Sequence, residues 1–153
     1  MNSCDIAYRT PTAGDTAFAL ETHHLAYHDV AVKQFGPWDT KAQDAFFSDF
    51  WGSPDQRIIL YNSVPCGYFE VQELPDAIMI KHLTIHPKFQ NKGVGTHLLN
   101  TLKDKALKSN KPLKLQVLLK NRAINLYRKV GFVVVDEDDK SYDMEWRPAR
   151  YSK

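Results

Sequence analysis

The chain has 153 residues, 43% of them hydrophobic and 25% charged, with a formal net charge of +2. That is the composition of a soluble globular protein with a substantial core, and it excludes global disorder. The charge balance is too mild to imply nucleic acid or a membrane surface as partner, and no apolar run approaches the roughly 20 residues that span a bilayer.

The opening "MNSCDIAYRT" has neither a basic segment nor an apolar stretch, so no signal peptide is expected. Cys4 and Cys66 lie far apart without metal-ligand spacing, which reads as reduced thiols in a cytoplasmic protein, each a small buried or half-buried side chain. With no repeat or linker in view, residues 1–153 are expected to form a single domain.

In chain order, "DIAYR" is a short strand, followed by a helix over "GDTAFALETHHLAYHDVAVKQFG" with Asp15 as N-cap and Gly36 as stop. Ala17, Leu20, His24, Tyr27 and Ala31 predict its inner face. "PWDTKAQDAFFSDFWG" predicts a second helix with Ala42, Phe46 and Phe50 aligned. "QRIILYN" and "PCGYFEVQEL" form an antiparallel hairpin about Asn62-Ser63, and Leu74-Pro75-Asp76 turns the chain into "AIMIKHLTI", a β-branched strand stopped at His86-Pro87.

Val94, Leu98, Leu102 and Ala106 then make the apolar stripe of an amphipathic helix. "PLKLQVLLK" alternates as a strand, "NRAINLYRKVG" is a short helix capped by Asn121 and stopped by Gly131, and "FVVVDED" and "KSYDMEWR" are final strands, the last alternating Tyr142, Met144 and Trp146. The order β-α-α-β-β-β-α-β-α-β-β places a right-handed strand–helix–strand crossover at the centre of a mixed sheet. Ligands of such sheets favour the carboxyl ends of the parallel strands.

Directly before the central helix stands "HPKFQNKGVGTHLL". A helix N-terminus leaves N–H groups without intrahelical partners, and glycines at 93 and 95 let a phosphate approach them. Lys92 adds charge; Gln90, Asn91 and Thr96 add hydrogen-bonding side chains. A tight turn that merely caps the helix is the equal alternative on this loop alone. Lys92 precedes its glycine, which excludes a P-loop, and Leu98 stands where a dinucleotide fingerprint needs a third glycine. Further on, Ala123 and Tyr127 lie one turn apart on the same helix face with Asn121 at its start, which by itself reads as a core tyrosine on an amphipathic helix.

Taken together, "LTIHPKFQNKGVGTHLL" and "NRAINLYRKVGF" resemble the GNAT superfamily of acyl-CoA N-acyltransferases, whose pattern is Gln/Arg-x-x-Gly-x-Gly/Ala and then Asn-x-x-Ala-x-x-Leu-Tyr-x-x-x-Gly-Phe. Gln90, Gly93, Gly95, Asn121, Ala123, Leu126, Tyr127, Gly131 and Phe132 supply its residues, with one departure: Ala123 stands two places after Asn121 rather than three, so that counted from Asn121 Ile124 fills the expected slot. The core match covers residues 83–132.

The resemblance implies a mixed α/β fold: a mostly antiparallel sheet of about seven strands, about four helices, and central parallel strands that splay apart. It implies acetyl-CoA as cosubstrate and no metal. The diphosphate would lie on Gln90, Asn91, Lys92, Gly93, Val94, Gly95 and Thr96. The pantetheine arm would pair with the main chain at Leu83, Thr84 and Ile85, as an added strand does, and would hydrogen-bond Asn121. Tyr127 would be the general acid toward the sulfur, its phenol being protonated at neutral pH.

The acceptor would be a primary amine of a small molecule, peptide or protein, attacking directly. Phe35, Trp38 and Asp39 would line the acceptor wall. The strand "AIMIKHLTI" carries no acid where many relatives have a glutamate, so the base is open among His82, His86, Glu70, Glu73 and a water chain; His82 has a suitable reference pKa and sits on that strand. Homodimers are common in such a family. The alternatives are a non-catalytic acyl-CoA-binding module of the same fold, and a phosphate binder that uses only the helix terminus. His24 and His28 have metal-like spacing but no third ligand. The tail "RPARYSK" reads as a solvated terminus.

Overall fold

The computed structural model describes residues 5–149. Its strands are β1 (Ile6–Arg9), β2 (Gln56–Tyr61), β3 (Val64–Glu73), β4 (Ile78–Ile85), β5 (Leu113–Leu118), β6 (Val133–Glu137) and β7 (Ser141–Trp146). Its helices are α1 (Thr16–Phe35), α2 (Thr40–Phe50), α3 (Val94–Ser109) and α4 (Ala123–Lys129), in the predicted order. The sheet order is β1-β2-β3-β4-β5-β7-β6. β4 and β5 pair in parallel from Ile78↔Leu113 to Ile80↔Leu115, and each strand continues beyond that ladder. The pairs β1–β2, β2–β3, β5–β7 and β6–β7 are antiparallel. Residues group into two compact units, Met1–Glu70 with His82–Val94, and Val71–Lys81 with Gly95–Lys153.

In the first unit, Arg9 holds Asp15 in a two-point ion pair, with Nη1–Oδ2 at 2.7 Å and Nη2–Oδ1 at 2.9 Å. Asp15 occupies the N-cap of α1 as predicted, yet its carboxylate accepts from Thr12 N at 2.7 Å in the preceding turn and makes no cap bond to α1. The Arg9 hydrogen bond is the main reason its carboxyl sits low, at about 2.

The inner face of α1 differs from the predicted one. Ala19, Thr22, His23, Val30 and Ala31 are buried, while Ala17 is exposed. Two polar residues sit in that face, so hydropathy alone passes over it. His23 tolerates burial because its Nε2 meets Gln43 Oε1 of α2 at 2.9 Å, and burial drives its pKa down.

The inner face of α2 is also rotated. Phe47 is 3% exposed, whereas Ala42 is exposed and Phe46 is 45% exposed. Phenylalanines at 46, 47 and 50 offer two faces of equal hydropathy, and packing chooses between them. Ala19, Phe47, Ile58 and Tyr68 form the core here, with Leu20, Phe50, Trp51 and Leu60 against it.

The β2–β3 hairpin turns at Asn62 and Ser63, both with positive φ (49° and 71°), the twist-compatible turn that closes two-residue hairpins. Near the middle of β3, Gly67 is required by contact. A Cβ there would lie 2.4 Å from Thr84 O and 3.1 Å from Ile85 Cα of β4.

In the second unit, α3 buries Leu98, Leu99, Leu102 and Ala106, and β5 buries Leu113, Leu115 and Val117, matching the predicted stripes. β7 departs from alternation and buries Ser141, Met144 and Glu145. Lys103 of α3 donates from Nζ to Val130 O at the end of α4 and lies 5.2 Å from the Trp146 ring. Cys4 and the end of the basic tail lie outside the described residues. Cys66 is a buried free thiol, pushed by burial up to about 11. Among the described residues no helix is long and apolar enough to cross a membrane.

Two outcomes follow from these contacts. Gly67→Ala should lower stability by about 1–3 kcal/mol in urea melts, since backbone must move to admit the methyl. The lowered Asp15 pKa stabilises the fold in full above the unfolded value near 4 and loses that contribution as pH falls to about 2. Asp15→Asn should therefore destabilise at pH 6 and flatten the acid side of a stability–pH curve.

Candidate active site

The loop before α3 is built by conformation as much as by composition. Pro87–Phe89 makes one 3-10 turn, which His86 caps by accepting from Lys88 N through Nδ1 at 3.2 Å. Asn91 (φ 63°) and Gly93 (φ 84°) then take left-handed conformations, and α3 starts at Val94. Gly93 has no heavy atom within 4 Å of a built Cβ, so its demand is purely conformational and the space beside it is open. Lys92 and Gly93 are exposed, whereas Val94 and Gly95 are buried. Gln90 spends its side-chain amide on Ile85 O at 2.9 Å, stapling the loop to the end of β4.

β4 contains the one strained residue of the strand. Between the bond Leu74 N→Ala77 O and the bond His86 N→Cys66 O, β4 has one residue more than β3. The surplus is absorbed at His82, whose φ is 54°, a left-handed conformation that costs about 1–3 kcal/mol for a residue other than glycine. Thr84 Oγ1 donates to the displaced His82 carbonyl at 3.0 Å. The His82 ring stacks flat on Phe50, with centroids 3.9 Å apart and planes at 8°, and Phe46 stands 6.2 Å away. Leu83, Thr84 and Ile85 follow, all half-buried.

At the start of α4, Asn121 Oδ1 accepts from Ala123 N at 2.9 Å and so caps that N–H, from one place before Arg122, which holds the cap position predicted for Asn121. Tyr127, one turn beyond Ala123, is 7% exposed and packs edge-on to Phe132 at 6.0 Å. Burial pushes its phenol up to about 12, so it carries its proton throughout the neutral range. Gly131 (φ 105°) ends the helix in a conformation that strains any side chain, with a Cβ position 3.2 Å from Trp146 Cδ1 that would also crowd the indole.

The remaining candidates divide. Glu73 forms a half-exposed ion pair with Lys105 at 3.5 Å, and His86 is buried with Nδ1 engaged. Glu70 is 5% exposed, with Gln56 Nε2 reaching its Oε1 at 3.4 Å. Asp39 caps α2 by accepting from Ala42 N at 3.0 Å, Trp38 Nε1 donates to Thr40 Oγ1, and Phe35 is 55% exposed. His24 pairs with Asp44 at 2.5 Å, and among the described residues no three His, Cys, Asp or Glu side chains converge as a metal site would require. The sequence reading missed Gly67, whose isolated position inside a strand pattern was the available signal.

The model of the acetyltransferase (GNAT) family matches residues 20–132, spanning α1, the loop, α3 and α4 through Phe132. The chain belongs to that family. Its fold is also similar to that of solved GNAT structures. The PaiA N-acetyltransferase of Thermoplasma acidophilum, solved in complex with coenzyme A, superposes with a TM-score of 0.77 at 17% identity, covering 94% of this chain and 99% of that one. The ribosomal-protein-S18-alanine N-acetyltransferase of Escherichia coli gives 0.65 at 21% identity, over 94% of each chain. PH1933 of Pyrococcus horikoshii OT3 gives 0.71 at 22% identity, over 94% and 99%. No curated protein matches the sequence. In this GNAT member, Asn121→Ala should cost about 1 kcal/mol in thermal melts through loss of the α4 cap.

Proposed function

We propose that the chain, acting as a single domain, is an N-acetyltransferase that moves the acetyl group of acetyl-CoA to a primary amine by direct attack. The family match carries this reading, because it includes both the loop before α3 and the buried phenol of Tyr127. The open space at Gly93, the left-handed turn and exposed Lys92 suit a diphosphate held on the first N–H groups of α3. Gln90 contributes by fixing the loop, while Asn91, Val94, Gly95 and Thr96 contribute main chain.

Bound acetyl-CoA supplies the thioester carbon to which the amine nitrogen bonds as the C–S bond breaks. Leu83, Thr84 and Ile85 offer main-chain groups to the pantetheine arm and to the carbonyl oxygen. Asn121 orients the same arm. Tyr127 gives its proton to the sulfur, and His82 takes the proton lost by the amine. Phe35, Trp38 and Asp39 remain the proposed acceptor wall, with Asp39 as its anion. The setting is a reducing cytoplasm, consistent with the free thiol of Cys66.

Release of free thiol across a panel of amines tests the assignment, with calorimetry of coenzyme A alongside. Turnover supports the enzyme; tight coenzyme A binding without turnover on any amine would make the chain an acyl-CoA-binding module. An equal response to ATP would reduce it to a general phosphate binder. Tyr127→Phe should lower kcat by about 100-fold with little change in the KM for acetyl-CoA. Because the phenol is raised to about 12, no alkaline limb belonging to it should appear below about pH 11. Gly93→Ala should weaken coenzyme A binding about tenfold, while melting only slightly earlier for the roughly 1 kcal/mol of φ strain.

A further inference from the structure

Glu70 is a carboxylate set into the core, and nothing above uses it. The bond His86 N→Cys66 O fixes the β3–β4 pairing in this unit. Two residues along that register, Tyr68 comes opposite Thr84; two further, Glu70 comes opposite His82 at the surplus residue of β4. A second chain of contacts reaches the same place. Gln56 is the β2 partner of Glu70, its Nε2 lies 3.4 Å from Glu70 Oε1 and donates to Phe50 O at 2.8 Å, and the Phe50 ring covers the His82 ring at 3.9 Å.

We propose that Glu70 is the positioning residue for His82. Its carboxylate accepts the N–H of one imidazole nitrogen, which fixes the tautomer and leaves the other nitrogen to take the proton of the attacking amine. A carboxylate at 5% exposure is costly in isolation, and beside an imidazole it favours the protonated ring. The strained backbone at His82 then has a purpose: it turns the ring off the ladder and toward this carboxylate. Other titratable groups on the elements packed against His82 are Tyr68 of β3 and His23 of α1, the latter reaching it through the rings of Phe46 and Phe50; α2 itself presents those two rings.

The catalytic half of this inference rests on His82 being the base, so the test reads the pair and the reaction separately. The ring protons of His82 are titrated by NMR in the unsubstituted protein, in Glu70→Gln, in Glu70→Asp and in Glu73→Gln as a surface control. The expected result is a midpoint about one pH unit lower in Glu70→Gln, partly restored in Glu70→Asp and unmoved in Glu73→Gln. The acid limb of kcat/KM should fall by the same interval, with kcat down about tenfold. Should Glu70→Gln fail to fold, the carboxyl carbon of Glu70 in the unsubstituted protein decides, since it should step at the midpoint of His82. An unmoved His82 midpoint, or a Glu70 carbon blind to it, overturns the proposal. A moved midpoint with an unmoved acid limb overturns its catalytic half. A moved midpoint in a protein that acetylates no amine supports the pairing and counts against the acetyltransferase reading alone.

Discussion

One extra residue in β4 sets the terms for the rest of the first unit. An antiparallel pair cannot carry a surplus without letting one residue leave the ladder, and here that residue is His82, held with a left-handed backbone. The displaced carbonyl is satisfied by Thr84, the ring settles flat on Phe50, and the strand beyond approaches β3 so closely that only a glycine fits at position 67. Strain, stacking and a bare backbone position are thus three faces of one local insertion. The strained backbone costs stability, and the ring stacking beside it helps offset that cost.

The loop before α3 and the start of α4 show a division of labour between side chains and main chain. Gln90 and Asn121 both spend a side-chain polar group on neighbouring backbone, at Ile85 O and Ala123 N. They act as local fasteners, and what they fasten is an array of amides at a helix start and a phenol one turn into a helix. Tyr127 is retained as a neutral acid by desolvation alone, with no charged partner needed. A phenol held this way keeps its proton with little dependence on ionic strength.

How much of this was legible in the sequence depends on the kind of signal. The element order, the α3 stripe, the Asn62-Ser63 turn and the Asn121 cap were readable because periodicity and turn chemistry are local. The inner faces of α1 and α2 were legible only in part: Leu20, Ala31 and Phe50 do pack inward, whereas Ala17 and Ala42 are exposed. His23 is buried through a partnered polar contact with Thr22 buried beside it, and the choice between Phe46 and Phe47 is made by tertiary packing that a pattern cannot see. The two glycines of the loop advertised themselves by motif, whereas Gly67 is defined by a strand distant in sequence. The bulge at His82 was invisible for the same reason: it exists only as a mismatch between two pairing counts.

Lys103 carries a consequence of its own. Here its nitrogen is tethered to the terminal carbonyl of α4 and lies against the indole of Trp146. One side chain thus ties α3 to the end of α4 and to the last strand at once, so that a change at Trp146 is felt by both helices.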